Sequence, residues 1–431
     1  MHAELFADAV IPRLQAPRKL QIKCRLRAHI IGRGDEETGM KTANDHTERE
    51  TERLERTCLC ARTVYGMGEA FEVTDEIAVP AGDGEVRVID SRGTVQITEA
   101  NLTENGLICR GELHWQSLFT RDRIPQIAQD GEEIAPTAEN SAAGIEILTR
   151  RIPFSHTIDL PLSHSFHGWN AMAYGTCTDV NTRVEDGKLL CAATIVPEGV
   201  AIGNEKVTFT CDCFSTVRQS ECDMHTFRYD RAVTCLNGNV TAGGSLPIAE
   251  LGTPRNAIPT DLSACAAIQS VSCERGRLIL NGECTYQLLY QTPEGEFATT
   301  EFHLPLRYEI PDEGGHTADA AYMADARAVM TDGRARLEGE NLTVDAEWVI
   351  AACITAQEEI ESVSELHNGA ILPARNGAYI LCYPDNTETL WNIAKRYHSA
   401  LRPLVMLNEL PGSADPDTPQ SLDGIRFLMI G

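Results

Sequence analysis

Apolar and polar side chains alternate along most of this chain. Leu20, Ile22, Cys24, Leu26, Ala28 and Ile30 fall on one phase of a period of two, with Lys19, Gln21, Lys23, Arg25, Arg27 and His29 on the other. Successive side chains of an extended strand point to opposite faces, so this spacing predicts a half-buried strand. The same pattern recurs at Val207, Phe209, Cys211 and Cys213, and at Leu342, Val344, Ala346, Trp348 and Ile350. Helical spacing over more than two turns is rare before the C-terminal segment. The chain therefore reads as mainly β.

The alternation is organised as a repeat. Glu104-Asn105-Gly106-Leu107-Ile108-Cys109-Arg110-Gly111-Glu112-Leu113-His114-Trp115 lines up, with one residue of slip, against Glu274-Arg275-Gly276-Arg277-Leu278-Ile279-Leu280-Asn281-Gly282-Glu283-Cys284-Thr285-Tyr286. Each copy has a tight turn, a strand interrupted by glycine, and then an aromatic residue. Glycine inside a strand marks a bulge or a close backbone approach, so the same bend is expected at Gly111 and Gly282. Apolar segments with prolines follow, 151–161 and 302–311. A second hairpin is then expected at 185–190 in one copy and at 331–337 in the other. The expected organisation is a partial or diverged N-terminal β module (1–89), a first full module with its linker (90–260) and a second module (261–366), built as antiparallel β-sandwiches or barrel-like units.

From Gly377 the pattern changes. Tyr379–Tyr383 reads as a short strand and 384–388 as a polar turn. Leu390, Ile393, Ala394 and Tyr397, at i, i+3, i+4 and i+7, predict a helix, with Thr387 and Thr389 as N-cap candidates and Glu388 suited to the positive helix start. A second short helix over Leu401–Leu407 and a closing strand over Ile425–Ile430 complete a small α+β unit, βααβ, within 375–431.

Thr389, Leu390, Trp391, Ile393, Ala394 and Tyr397, with Leu404, Leu407 and Asn408, resemble a LysM domain. That resemblance implies binding of N-acetylglucosamine-containing glycan, such as peptidoglycan, in a shallow groove between two loops. The corresponding residues here are Pro384, Asp385, Asn386, Thr387, Glu388 and Thr389 on one side, and Leu410, Pro411 and Gly412 on the other. Thr387-Glu388-Thr389 stands where the family has Gly-Asp-Thr. The β modules resemble the SPOCS domain of clostridial spore-envelope and coat assembly proteins of the SipL and SpoVID-like group. The residues that carry this are Pro17-Arg18-Lys19-Leu20, Ile152-Pro153-Phe154, Asp212-Cys213-Phe214-Ser215-Thr216, and Gly282–Tyr286 with Leu289-Tyr290, together with the order of parts. The resemblance implies a non-enzymatic structural adaptor in the mother-cell cytosol. It would join a protein partner of the spore coat basement layer to the forespore surface, with the LysM unit as the docking module.

Composition narrows the partners. The chain has 431 residues, 63 acidic and 37 basic side chains and a net charge of −26. Binding to nucleic acid or to an anionic membrane would be electrostatically repulsive, and a basic partner would be favoured. Met1–Gln21 has no run suited to a signal peptide, and no stretch approaches about 18 consecutive apolar residues, so neither export nor membrane insertion is expected and the location is read as cytoplasmic. In that setting the 15 cysteines are expected as thiols, mostly small buried hydrophobes. No cofactor is expected.

Candidate chemistry is sparse. Cys211-x-Cys213 with Cys222-x-x-His225 offers the donor types of tetrahedral zinc, but Cys211 and Cys213 share the apolar phase of Val207 and Phe209 and are read as core thiols. Cys58-x-Cys60 lacks a second pair. Ser155, His156, Asp159, His164 and His167 cluster in sequence without a G-x-S-x-G or H-E-x-x-H pattern, and are read as surface polar residues. Gly66-Met67-Gly68 lacks the third glycine and the helix of a dinucleotide loop. Trp391 is read as packing at a core edge rather than as a sugar platform. No catalytic residue and no metal ligand is assigned. Module association is expected by edge-strand addition or face-to-face packing. Direct peptidoglycan binding through the LysM unit is the alternative function. A cell-wall hydrolase would require a positioned carboxylate pair that alternating strand faces do not offer.

Overall fold

Strands dominate because apolar side chains recur at every second position and turn residues separate the runs. The computed structural model describes residues 2–16, 19–31, 41–42, 50–80, 84–104, 106–122, 145–161, 167–311, 316–373, 377, 379–385, 388–410, 422 and 425–431, with the backbone alone for 2–20, 24–31 and 41–42. Strands β1 (His2–Ala16) and β2 (Lys19–Ile31) form an antiparallel hairpin. After the two-residue β3 (Lys41–Thr42) come β4 (Thr51–Met67) and β5 (Phe71–Ala78). A three-stranded sheet follows: β6 (Glu85–Thr103), β7 (Gly106–Asp122) and β8 (Glu146–Ile158). β9 (Asn170–Glu185) and β10 (Lys188–Ser215) make a hairpin in which β10 also pairs with β4 and β5. β11 (Arg218–Pro247) leads through the single-turn α1 (Ile248–Leu251) into a second three-stranded sheet, β12 (Ile258–Glu274), β13 (Arg277–Gln291) and β14 (Phe297–Glu309). β15 (Ala321–Glu338) and β16 (Asn341–Ile371) form the next hairpin, and β16 also pairs with β11 and, in parallel, with β3. The chain closes with β17 (Ile380–Cys382), α2 (Leu390–Arg396), α3 (Leu401–Leu407) and β18 (Leu428–Ile430), β17 and β18 being antiparallel. Among the described residues the sheets are open, so the sandwich form holds and the barrel-like alternative does not. No described helix is long and apolar enough to cross a membrane.

The two three-stranded sheets match rung for rung. Ile97 sits opposite Gly111, beside a bulge between Ile97 and Glu99; Ile268 sits opposite Gly282, beside a bulge between Ile268 and Ser270. A second bulge recurs as well, between Val88 and Asp90 and between Pro259 and Asp261. A Cβ on Gly111 would lie 2.1 Å from the Gln96 carbonyl oxygen, and one on Gly282 would lie 2.6 Å from that of Ala267. The bend expected from the two glycines is therefore present in both copies, and its cause is backbone pressed against backbone. The outer strands match too: Pro153 on β8 faces Glu112, and Pro305 on β14 faces Glu283.

The turn Asp186-Gly187, both residues at positive φ, joins β9 to β10 as expected. In the second copy the expectation of a hairpin at 331–337 is corrected. Those residues lie inside β15, at a bulge between Met330 and Asp332, and the turn is Gly339-Glu340, with Glu338 paired to Asn341. Asp332 accepts a hydrogen bond from the Gly333 amide (2.8 Å), so here the Asp-Gly pair shapes a bulge rather than reversing the chain.

Two compact units divide the chain: Met1–Thr57 with Thr208–Phe227 and Ile360–Gly431, and Cys58–Val207 with Arg228–Glu359. In the second, one core fills the space between β6–β8 and β10 around Leu107, Leu113, Trp115, Phe119, Leu189 and Ile195. Another lies between β12–β14 and β16 around Tyr286, Leu288, Leu304, Val344 and Trp348. The predicted inward set Leu342, Val344, Ala346, Trp348 and Ile350 is buried throughout. Tyr286 occupies the rung of Trp115, and its ring meets Trp348 edge-on with centroids 6.0 Å apart, so bulk missing on one sheet is supplied by the other. In the first unit, Ile22 on β2 is exposed, contrary to the inward face assigned to it.

Candidate functional site

The C-terminal element of the first unit folds locally as its spacing dictates. Thr389 caps α2 by accepting from the Asn392 amide (3.2 Å). Leu390, Ile393, Ala394 and Leu404 are buried together with Cys382, Leu428 and Ile430. Asn408 fixes the end of α3 to β18: its amide donates to the Leu404 and Met429 carbonyls (2.8 and 2.7 Å), and its oxygen accepts from the Met429 amide (2.6 Å).

Trp391 is buried, as expected of a core-edge residue, and two residues of β10 explain why. Its indole N–H donates to Asp212 Oδ2 (2.8 Å), and its ring meets Phe214 edge-on with centroids 5.1 Å apart. Lys395 Nζ donates to Asp212 Oδ1 (2.5 Å), and the His398 ring contacts the Ser215 carbonyl (2.9 Å). Asp212→Ala leaves a buried indole N–H without its acceptor. It should loosen α2 by about 1–3 kcal/mol, read as faster amide hydrogen exchange over 390–396, with Asp212→Asn milder; unchanged exchange in both would contradict this anchor.

Of the groove residues expected from sequence, Asn386, Thr387, Pro411 and Gly412 lie outside the described residues. Pro384 is half-buried and Asp385 exposed. Glu388 is turned inward: it accepts from the Asp385 amide (3.1 Å) and pairs with Arg396. Thr389 is committed to its cap, and Leu410 packs against the core of this element.

A different surface stands open. Tyr379, Leu381 and Tyr383 share one face along β17 and are 66%, 53% and 66% exposed, and Phe427, just before β18, is 47% exposed. The Tyr383 and Phe427 rings have centroids 6.5 Å apart. The sequence reads 379–383 as a short strand, but both of its phases are apolar, so alternation leaves the outward face undecided. The structure turns Cys382 into the core. Clustered exposed aromatics of this kind suit a docking surface.

Other candidates disperse. Cys213 and Cys222 come together, with sulfurs 3.2 Å apart, whereas exposed His225 packs against Phe227, so the four-residue zinc pattern is not assembled. Cys58 is buried, and Tyr229 hydrogen-bonds to it. Ser155 and His156 are consecutive on β8 and face opposite sides; His156 stacks on Phe71 with centroids 4.4 Å apart. Asp159 and His167 are exposed, and His164 lies outside the described residues. Gly66 ends a strand against Leu160 and Asp159, and the Gly68 amide donates to the Pro197 carbonyl (2.8 Å), as ladder glycines do.

Asp223, Glu365 and His367 gather at the surface of the first unit, with His367 Nε2 2.9 Å from Asp223 Oδ2. The hydrogen bond to Asp223 holds the imidazole pKa above its ordinary value, and Glu365 and Glu221 add to this. In a proton NMR titration of the full chain, His367 should lose its proton at higher pH than a free histidine, and Asp223→Asn should shift that midpoint down.

The second unit holds a polar cleft of about 600 Å³ lined by β6, β7, β8, β12 and β15. Arg92 on β6 pairs with Asp261 on β12, which also accepts from the Gln116 amide (2.8 Å). His114 Nε2 contacts Gln96 Oε1 (2.8 Å), its Nδ1 contacts the Thr331 carbonyl (3.1 Å), and burial pushes its pKa down. The Arg92 and Gln116 bonds to Asp261 and the His114 contact with Thr331 tie the β6–β8 sheet to β12 and β15. The rim carries Arg150, Arg151, Arg334 and Arg336.

A family comparison singles out one side of this cleft, the β6–β8 sheet. Residues 86–186 match the SipL, SPOCS domain. The SPOCS segment runs from the start of β6 to the β9–β10 turn, and so contains Gly111, its bulge, and Pro153. No curated protein and no solved structure matches the chain.

Proposed function

We propose that this chain is a non-enzymatic structural adaptor of spore envelope and coat assembly. It works in the mother-cell cytosol, with two SPOCS-like sandwiches as its body and a LysM-like βααβ element that docks a protein partner of the coat basement layer or forespore surface. The SPOCS match supports the sporulation setting. The observation that carries the docking role is the exposed face of Tyr379, Leu381, Tyr383 and Phe427. An apolar, two-stranded face suits side-chain packing by a folded partner. The net charge of −26 makes a basic rim on that partner favourable.

The test compares the immobilised full chain with its Tyr379→Ser/Tyr383→Ser variant in extract from sporulating mother cells, with bound proteins identified by mass spectrometry. The expected result is a basement-layer or forespore-surface protein retained by the parent chain and reduced about tenfold or more by the variant. Sedimentation of the parent with purified peptidoglycan, abolished by the same variant and with no protein partner found, would replace this reading with the glycan-binding one.

A further inference from the structure

We propose that Cys213 and Cys222 form a redox-active thiol pair that closes to an intramolecular disulfide by exchange with a low-molecular-weight disulfide. The two residues face each other across the β10–β11 turn, with sulfurs 3.2 Å apart. A disulfide needs about 2.05 Å, so a movement of about 1 Å joins them. The turn holds that register before any bond forms. Ser215 Oγ accepts from the Val217 and Arg218 amides (3.3 and 3.2 Å), and Ser220 Oγ accepts from the Ser215 amide (3.0 Å).

The two thiols have unequal access. Cys213 is fully buried against Val363 and Leu366, whereas Cys222 is half-buried and within reach of solvent. Cys222 is also the better thiolate. The Cys213 S–H hydrogen bond to its sulfur lowers its pKa and the Lys395 ammonium adds to this, while the same pairing and burial push Cys213 up.

Entry is therefore through Cys222. Its thiolate attacks one sulfur of the small disulfide, forming a mixed disulfide and expelling one thiolate. Cys213 then loses its proton to that thiolate and attacks the Cys222 sulfur, releasing the second small thiol. Two protein thiols and one small disulfide become one protein disulfide and two small thiols.

Arg218 is the only tryptic site between the two cysteines, so digestion reports the bond directly. The native full chain is treated with glutathione disulfide, alkylated, digested and analysed by mass spectrometry. Peptides 207–218 and 219–228 should appear joined, lighter than their sum by about two hydrogen masses, and should separate with dithiothreitol. Fragmentation should place the link at Cys213 rather than Cys211, and a Cys211→Ser chain should still form it. The Cys213→Ser chain should stop at a glutathione adduct on Cys222, whereas Cys222→Ser should leave Cys213 unmodified. Alkylation of both thiols in the treated parent, a link through Cys211, or an adduct on Cys213 in the Cys222→Ser chain would each overturn the proposal.

Discussion

Arg92→Ala should destabilise the second unit by about 3 kcal/mol, toward the lower end of the penalty for breaking a buried ion pair. The Asp261 side chain is 6% exposed and that of Arg92 33%, so water reaches the arginine and not the carboxylate. Removing the arginine strands a buried negative charge with the Gln116 amide as its remaining side-chain partner in the cleft. Solvent access to Arg92 is the reason for choosing the lower figure. Asp261→Ala, which leaves the more accessible partner behind, should cost less. Replacing both, as Arg92→Met with Asp261→Leu, should recover most of the loss because no buried charge is left unpaired, Asp90, the other partner of Arg92, being exposed. Urea unfolding followed by tryptophan fluorescence checks the order, Trp115 and Trp348 lying in the two cores on either side. Equal losses for the two single variants would mean that burial of the carboxylate is not what sets the energy.

Gly111→Ala and Gly282→Ala should each lower stability on the order of 3 kcal/mol, as overpacking against immovable backbone does. The new methyl would meet a carbonyl oxygen of the neighbouring strand at 2.1 and 2.6 Å, and a bulged rung has no side chain that can swing aside. The closer approach makes Gly111 the worse of the two. A control is Gly187→Ala: its Cβ position is open, so only the positive φ of the turn opposes it, at about 1 kcal/mol. Thermal or urea midpoints decide. If Gly111→Ala falls within a few tenths of a kcal/mol of the parent, the close approach is not the reason for glycine there.

Periodicity is a local signal: alternation of two placed most strands, the repeated glycines placed the twin bends, and helical spacing placed α2 in the terminal βααβ order. It fails where the deciding partner is remote. Trp391 looks like a helix-flank aromatic, and its burial depends on Asp212 and Phe214, more than 170 residues earlier in the chain. Asp332-Gly333 has the composition of a turn, yet β15 continues through it because Arg334, Ala335, Arg336 and Leu337 find rungs on β16. Along Tyr379–Tyr383 both phases are apolar, so alternation cannot tell inside from outside, and the choice falls to the closing strand β18 that pairs with it. The expected groove loops suffer a related limit: Glu388 and Thr389 have polar side chains that suit a ligand, but the fold uses both to start α2.

The matched prolines on β8 and β14 bear on how a second strand could add to either sheet. Each removes one amide donor from the outward rim of its sheet, at the same rung. A second molecule laid alongside would find a gap in the zipper at Pro153 and again at Pro305. Strand addition along β8 and β14 is thereby discouraged, so at these two edges the expected association by edge-strand addition gives way to packing through side chains.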